Sequence, residues 1–172
     1  MKKVSLLLMM VLLGLTSYAQ ESGSTLKFGY LSYEAAFQAM PEYATMQAGL
    51  AQLREKYEAE QKRVENDFNR KYEEFLDGQS SYPQTILQKR QAELHEMLDR
   101  NIAFKKESQR LLANAEAEAK APLTARLADV LATIGQQRGY AFILNTDLNA
   151  VPWVNVDLGE NIIEAVKEEL QK

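Results

Sequence analysis

The chain has 172 residues, a formal charge of −4, 46% hydrophobic residues and no cysteine. Without cysteine there can be no disulfide framework, thiolate nucleophile or cysteine-based metal centre. Acidic residues outnumber basic ones 24 to 20 and no basic cluster stands out, so nucleic-acid binding has no electrostatic footing.

The first nineteen residues read as a secretory signal peptide. Lys2 and Lys3 form a positive start, and an apolar run follows over 4–15, broken only by Ser5 and Gly14. Ser17 and Ala19 place small residues at −3 and −1 of a cleavage site after Ala19. The run is short for a membrane-spanning helix, which needs about 20 apolar residues. The mature chain is therefore expected to be soluble in the periplasm, where loss of the two lysines takes its formal charge from −4 to −6.

Leu26–Leu31 is rich in aromatics and imperfectly alternating, which predicts a strand. Ser32 is a candidate N-cap for a short helix over Tyr33–Phe37, and Pro41 suits the first turn of the next helix. Two long stretches then follow, 42–77 and 84–121, and neither holds a proline. Between them lies Gly78-Gln79-Ser80-Ser81-Tyr82-Pro83, a polar segment with turn chemistry. The pair reads as a helical hairpin whose legs each reach roughly 55 Å. In the outgoing leg Tyr43, Met46, Leu50, Leu53 and Tyr57 recur at coiled-coil spacing. Glu60 breaks that seam, and Val64, Phe68, Tyr72 and Phe75 continue it out of phase. The returning leg offers Leu87, Leu94, Leu98, Ile102, Leu112, Ala115 and Ala119, with Phe104 beside that row. Glu58–Lys62, Asp67–Lys71, Glu96–Arg100 and Glu116–Lys120 are acid-before-base pairs one turn apart, each adding a few tenths of a kcal/mol to its helix.

Pro122 is expected to kink or restart the returning helix, and Leu123, Leu127, Val130, Leu131 and Ile134 then form a wider apolar stripe. Gly139 reads as a C-terminal helix stop. Tyr140–Leu144 and Val151–Val156 are predicted as strands two and three. Asp157 and Glu160 resemble a capping box ahead of a final helix that turns Ile162, Ile163, Val166 and Leu170 inward. The expected fold class is α+β: a small, largely antiparallel β-sheet body (20–40 and 122–172), with the long helical hairpin arm (41–121) inserted between strands one and two. A sheet this small cannot cover both faces from its own chain. Some of Phe28, Tyr30, Phe142, Leu144 and Trp153 are therefore expected to serve an oligomer interface.

Chemistry-bearing constellations are missing from the pattern. His95 and Asp99 sit one turn apart, but two ligands leave a structural zinc site half empty, so they read as a solvated helix face. Carboxylates interleave with Lys and Arg on polar helix faces, and no phosphate-binding glycine loop or nucleophile elbow occurs. No catalytic residue, metal or cofactor is expected, and the chain reads as a non-enzyme.

The ordered set Lys27-Phe28-Gly29-Tyr30-Leu31, Met40-Pro41-Glu42-Tyr43, Gly139-Tyr140-Ala141-Phe142-Ile143-Leu144 and Asp157-Leu158 resembles the Skp/OmpH family of periplasmic chaperones. The resemblance implies a homotrimer whose bodies join through their sheets and whose arms surround a cavity. It implies ATP-independent binding of unfolded outer-membrane β-barrel proteins until they reach the assembly machinery, with transient contact with the membrane surface. Tyr57, Phe68, Tyr72, Phe75, Tyr82 and Phe104 are the candidate client contacts on the arm, with Tyr82 and Phe104 favoured as lying off the main seam. Well-known members are strongly basic and this chain is acidic, so a lipopolysaccharide site is not carried over. A different reading is an envelope adaptor whose coiled-coil arms bind one folded partner.

Overall fold

A computed structural model describes residues 26–172; the expected signal peptide and its cleavage after Ala19 lie outside the described residues. Strand β1 (Phe28–Leu31) alternates: Gly29 and Leu31 are buried, and Phe28 and Tyr30 are half-buried on the other face. The Ser32 side chain accepts the Ala35 N–H at 3.0 Å and starts helix α1 (Tyr33–Gln38). Pro41 begins α2 (Pro41–Gly78) in the first turn, where its missing N–H costs nothing. The chain turns at 79–83 and returns as α3 (Gln84–Arg138), a 55-residue helix roughly 80 Å long. Helix α3 neither ends nor restarts at Pro122, as the sequence had allowed. Leu123 and Leu127, buried one turn apart just past it, continue the helical spacing into the core.

The sheet is three-stranded in the order β2-β1-β3, with β2 at Ile143–Asn145 and β3 at Gly159–Asn161. Both pairings are parallel, which corrects the antiparallel expectation. The cause is how far α3 travels. Its buried stripe from Leu123 to Ile134 runs beside the sheet for roughly 16 Å before the chain can reverse. Reversal comes at Gly139, whose left-handed φ of 65° a side chain would strain. By then the chain is level with the start of β1. The Ala141 N–H donates to the Lys27 carbonyl and the Gly29 N–H to the Phe142 carbonyl, so β2 runs the same way as β1.

The third strand is also displaced. Val151–Val156 is not a strand; it belongs to the crossover that two parallel strands need, about a dozen residues in length. Pro152 has no N–H to give a ladder. Gly159–Asn161 takes the free edge of β1 instead, and Gly159 lets the Phe28 ring approach: a Cβ there would lie 2.3 Å from it. Glu160 thus sits in β3 and does not cap a helix. Asn161 opens α4 (Ile163–Leu170), its Oδ1 accepting the Ile163 N–H at 3.1 Å.

Leu31, Ala36, Phe37, Met40, Leu123, Leu127, Ile134, Ile162, Val166 and Leu170 form the core. Leu127, Ile162, Val166 and Leu170 have no exposed surface, and each such side chain stabilises the fold by about 1.5–3 kcal/mol. Arg126 fastens the base of the hairpin to this core. Its guanidinium pairs with Glu42 in α2 and donates to the Leu170 carbonyl at 2.7 Å. The crossover is tied down at its start, where Asn145 Oδ1 accepts the Tyr33 N–H and Asp147 Oδ2 the Glu34 N–H, both at the N-terminus of α1.

Candidate functional site

Two surfaces carry exposed apolar residues: the hairpin and the sheet face away from the helices. The hairpin seam explains which side chains remain outside. In α2 the half-buried row runs Tyr43, Met46, Leu50, Leu53 and Tyr57, then shifts to Gln61, Val64 and Phe68 before the buried Phe75. In α3 it runs Leu87, Leu94, Asn101, Ser108 and Ala115 at strict seven-residue spacing, flanked by Arg90, Met97, Phe104 and Leu112. Two of these five positions are polar, which is why the sequence reading slid to Leu98 and Ile102. Asn101 earns its place by donating from Nδ2 to the Val64 carbonyl at 3.1 Å, the one side-chain hydrogen bond between the legs among the described residues of the arm. Ser108 is buried and donates to the Phe104 and Lys105 carbonyls of its own helix.

The aromatic candidates separate accordingly. Tyr57 and Phe104 face each other across the legs, 6.3 Å between ring centroids, so Phe104 belongs to the seam that it was expected to avoid. Phe75 is 8% exposed between the legs. The Tyr82 ring is half-buried, folded over Gly78 and capped by the Arg90 guanidinium 5.5 Å from its centroid. Phe68 stacks on Tyr72 at 6.1 Å, and of the six only Tyr72 is exposed. Two exposed residues are ones the sequence had placed in the seam: Ile102, at 60% the most exposed large apolar side chain of the arm, and Leu98, 41% exposed. Leu76 and Ile86 join them nearer the turn.

Charges on the arm are mostly engaged locally. Arg63 bridges Glu60 and Asp67, Arg70 also meets Asp67, and Lys71 turns to Glu74 in place of the expected Asp67. Glu96–Arg100 and Glu116–Lys120 form as expected, at 3.7 and 2.5 Å. The Arg63, Arg110 and Lys120 side chains hold Glu60, Glu107 and Glu116 below the usual carboxylate range. His95 Nε2 lies 3.7 Å from Asp99 on an open helix face.

On the body, Phe28 stacks on Phe142 at 5.5 Å, with Tyr30 and Leu144 half-buried and Trp153 74% exposed. The sequence reading missed Leu148, Val156 and Leu158 on the same crossover, all exposed. Leu148 and Asn149 hold left-handed φ angles of 54° and 55°, a costly conformation for leucine. The edge of the sheet is locked by a polar knot: Glu160 accepts from the Tyr140 hydroxyl and pairs with Arg138. The Tyr140 hydrogen bond first, then Arg138, keeps the Glu160 carboxyl low; burial, then the Glu160 bond, pushes the Tyr140 phenol up. These groups tie β3 to the end of α3, and no nucleophile stands beside them.

Comparison with known proteins gives the same outline. The family model for outer membrane proteins of the OmpH-like type matches residues 27–170. A crystal structure from Caulobacter crescentus CB15, described as an OmpH-like outer membrane chaperone, superposes with a TM-score of 0.70. It is 17% identical, with 89% of each chain covered, which is a likeness of fold. No curated protein matches the chain. With nearly every described residue inside the family match, the chain belongs to the OmpH-like outer membrane protein family.

Proposed function

We propose that this protein is a periplasmic holdase: it binds unfolded outer-membrane β-barrel proteins without ATP and keeps them from aggregating. The observation that carries the reading is the hairpin itself, a two-helix arm with exposed Tyr72, Leu98 and Ile102 along it and almost no buried core of its own. Unfolded barrel chains expose apolar side chains and open strand edges, and many weak, non-directional contacts suit them better than one tight pocket. Binding of the unfolded state works by mass action and needs no chemistry. The family supports a chaperone role, and no enzymatic constellation accompanies the arm.

The working unit in this reading is a homotrimer, secreted with its signal peptide removed after Ala19. The body (20–40 and 122–172) associates and the arm (41–121) holds the client. The sheet face with Phe28, Tyr30, Phe142 and Leu144 supplies the contact between copies, and Trp153 and Leu148 on the crossover add to it. Contact outside the single chain would offset both its exposure and its backbone strain.

Light scattering of a urea-denatured barrel protein diluted into buffer tests the reading directly. Equimolar trimer is expected to suppress the signal, and removal of 57–104 with a short turn in its place to abolish suppression while the body still sediments as a trimer. No suppression by the intact protein sinks the holdase; a single stoichiometric folded partner in a crosslinking pull-down would favour the adaptor.

A further inference from the structure

Two grooves flank the point where Asn101 crosses to the Val64 carbonyl, one on each side of the hairpin, and they differ in kind. On one side Arg63, Asp67 and Arg100 line a groove with Val64, Met97 and Phe104, and all three charges are engaged in ion pairs. On the other side the floor is Val64, Phe68, Leu98 and Ile102, in a groove of about 250 Å³. Its rim holds Gln61, Glu65, Asn69 and Lys105, and none of these four side chains has a hydrogen-bond or ion-pair partner among the described residues. The polar groups beside the first groove are satisfied by the protein; those beside the second are free.

We infer that this second groove is the client-contact site of the arm, and that it takes an extended polypeptide segment with its backbone unpaired. The inference rests on the holdase reading and gives it a location. Three features select this occupant. The groove is smaller than the roughly 300–1,000 Å³ of small-molecule sites, so it fits side chains of a polymer. Leu98 and Ile102 are one helical turn apart, about 6 Å along the axis. Same-face side chains of an extended strand lie about 6.6 Å apart, so alternate residues of a strand running along the arm would meet the two in succession. The rim supplies two carboxamides that both donate and accept, with one anion and one cation whose charges cancel. That complements an unpaired peptide backbone, whose donors and acceptors are equal in number, and gives no preference to an anionic polymer or lipid. A segment that alternates apolar and polar residues, as membrane barrel strands do, meets both floor and rim.

The test uses the full mature protein and a fluorescent ten-residue peptide of alternating apolar and polar residues, read by anisotropy. A peptide of the same composition with its apolar residues clustered is the comparison. Leu98→Asp combined with Ile102→Asp is expected to weaken binding of the alternating peptide at least about tenfold. Ile86→Asp, at an exposed apolar site outside the groove, should leave it within about twofold. Because Leu98 and Ile102 lie outside the seam, far-ultraviolet circular dichroism should be unchanged; Leu98→Gln with Ile102→Gln provides a milder version. A photoreactive residue at 102 should crosslink a denatured barrel protein, and one at Arg63 on the opposite groove should not. Unaltered peptide affinity in both double variants overturns the site, as does equal affinity for the clustered peptide. If the double variant still suppresses aggregation while removal of 57–104 does not, only the groove fails. If removal of 57–104 leaves suppression intact, the holdase arm itself fails. A change in sedimentation without a change in peptide binding would reassign the groove to contact between copies.

Discussion

In the body, ten buried side chains from β1, both short helices, the end of α3 and their connections converge on one core. Over the somewhat longer span 41–121, only Phe75 and Ser108 are buried. The hairpin therefore keeps its shape by other means: half-buried rows, local ion pairs and one amide bridge. Interior packing resists change because every removed atom leaves a hole, whereas a two-helix seam can open by small rotations. The difference teaches how one chain combines a rigid base with a compliant surface. It also explains why Leu98 and Ile102 are exposed: among the described residues no third helix lies over them.

The largest expected effect lies in the body. Leu127→Ala should cost about 2–5 kcal/mol in urea unfolding, because Leu127 is fully enclosed. Leu94→Ala in the half-buried seam should cost about 1 kcal/mol. Equal losses would break the contrast between core and arm. Next comes the joint between them. Arg126→Ala removes the partner of Glu42 and a donor to the Leu170 carbonyl, and should cost about 1–2 kcal/mol. Hydrogen exchange should quicken at the start of α2 and the end of α4 together; exchange confined to one helix would show that Arg126 does not join them.

Asn101→Leu should sharpen the picture of the seam. A polar residue at a seam position specifies register at a cost in stability. The variant is expected to gain about 1 kcal/mol and to let the legs slide, broadening the distance distribution between spin labels at Lys62 and Ala103. A narrower distribution would show that Asn101 strains the arm.

The smallest effect is with pH. Glu60, Glu107 and Glu116 on the arm and Asp147 and Glu160 on the body are all held below their ordinary values, 4.5 for Glu and 3.8 for Asp. A depressed carboxyl stabilises the fold above its ordinary value, and that contribution is lost as pH falls through the folded value. Stability should be flat near neutrality and decline below about pH 4.5. Helicity of the arm should fade before the near-ultraviolet signal of Tyr33, Phe37 and Tyr140 at the core changes, and Glu160→Gln should flatten only the body's share of the decline. A body that melts first in acid would reverse the contrast.

Much of this architecture was readable from residues. Ser32, Pro41 and Gly139 mark element ends through local backbone chemistry, and all three act where the pattern placed them. The inner seam from Tyr43 to Tyr57 was legible because its apolar residues are uninterrupted. Beyond it, reading failed at Asn101 and Ser108. A polar residue can occupy a seam position once a carbonyl lies within reach, and only the arrangement of the helices reveals that carbonyl. Tracking hydrophobicity therefore drew Leu98 and Ile102 inward and pushed Phe104 outward. The free rim groups Gln61, Glu65, Asn69 and Lys105 gave no signal, since an unengaged polar residue has the same letter as an engaged one.

By itself the sequence determined that two long helices leave a small body and return to it, because helical periodicity and turn chemistry are local properties. It also determined the absence of any cysteine chemistry. Tertiary structure alone decided the direction of the strands, the identity of the third strand and the outward faces of the arm. Direction depends on where α3 stops beside the sheet; the third strand depends on which segment reaches the free edge of β1. The outward faces depend on which partner groups meet Asn101 and Ser108. Each is a question of what arrives from elsewhere in the chain, and periodicity defines the faces of an element without saying what will cover them.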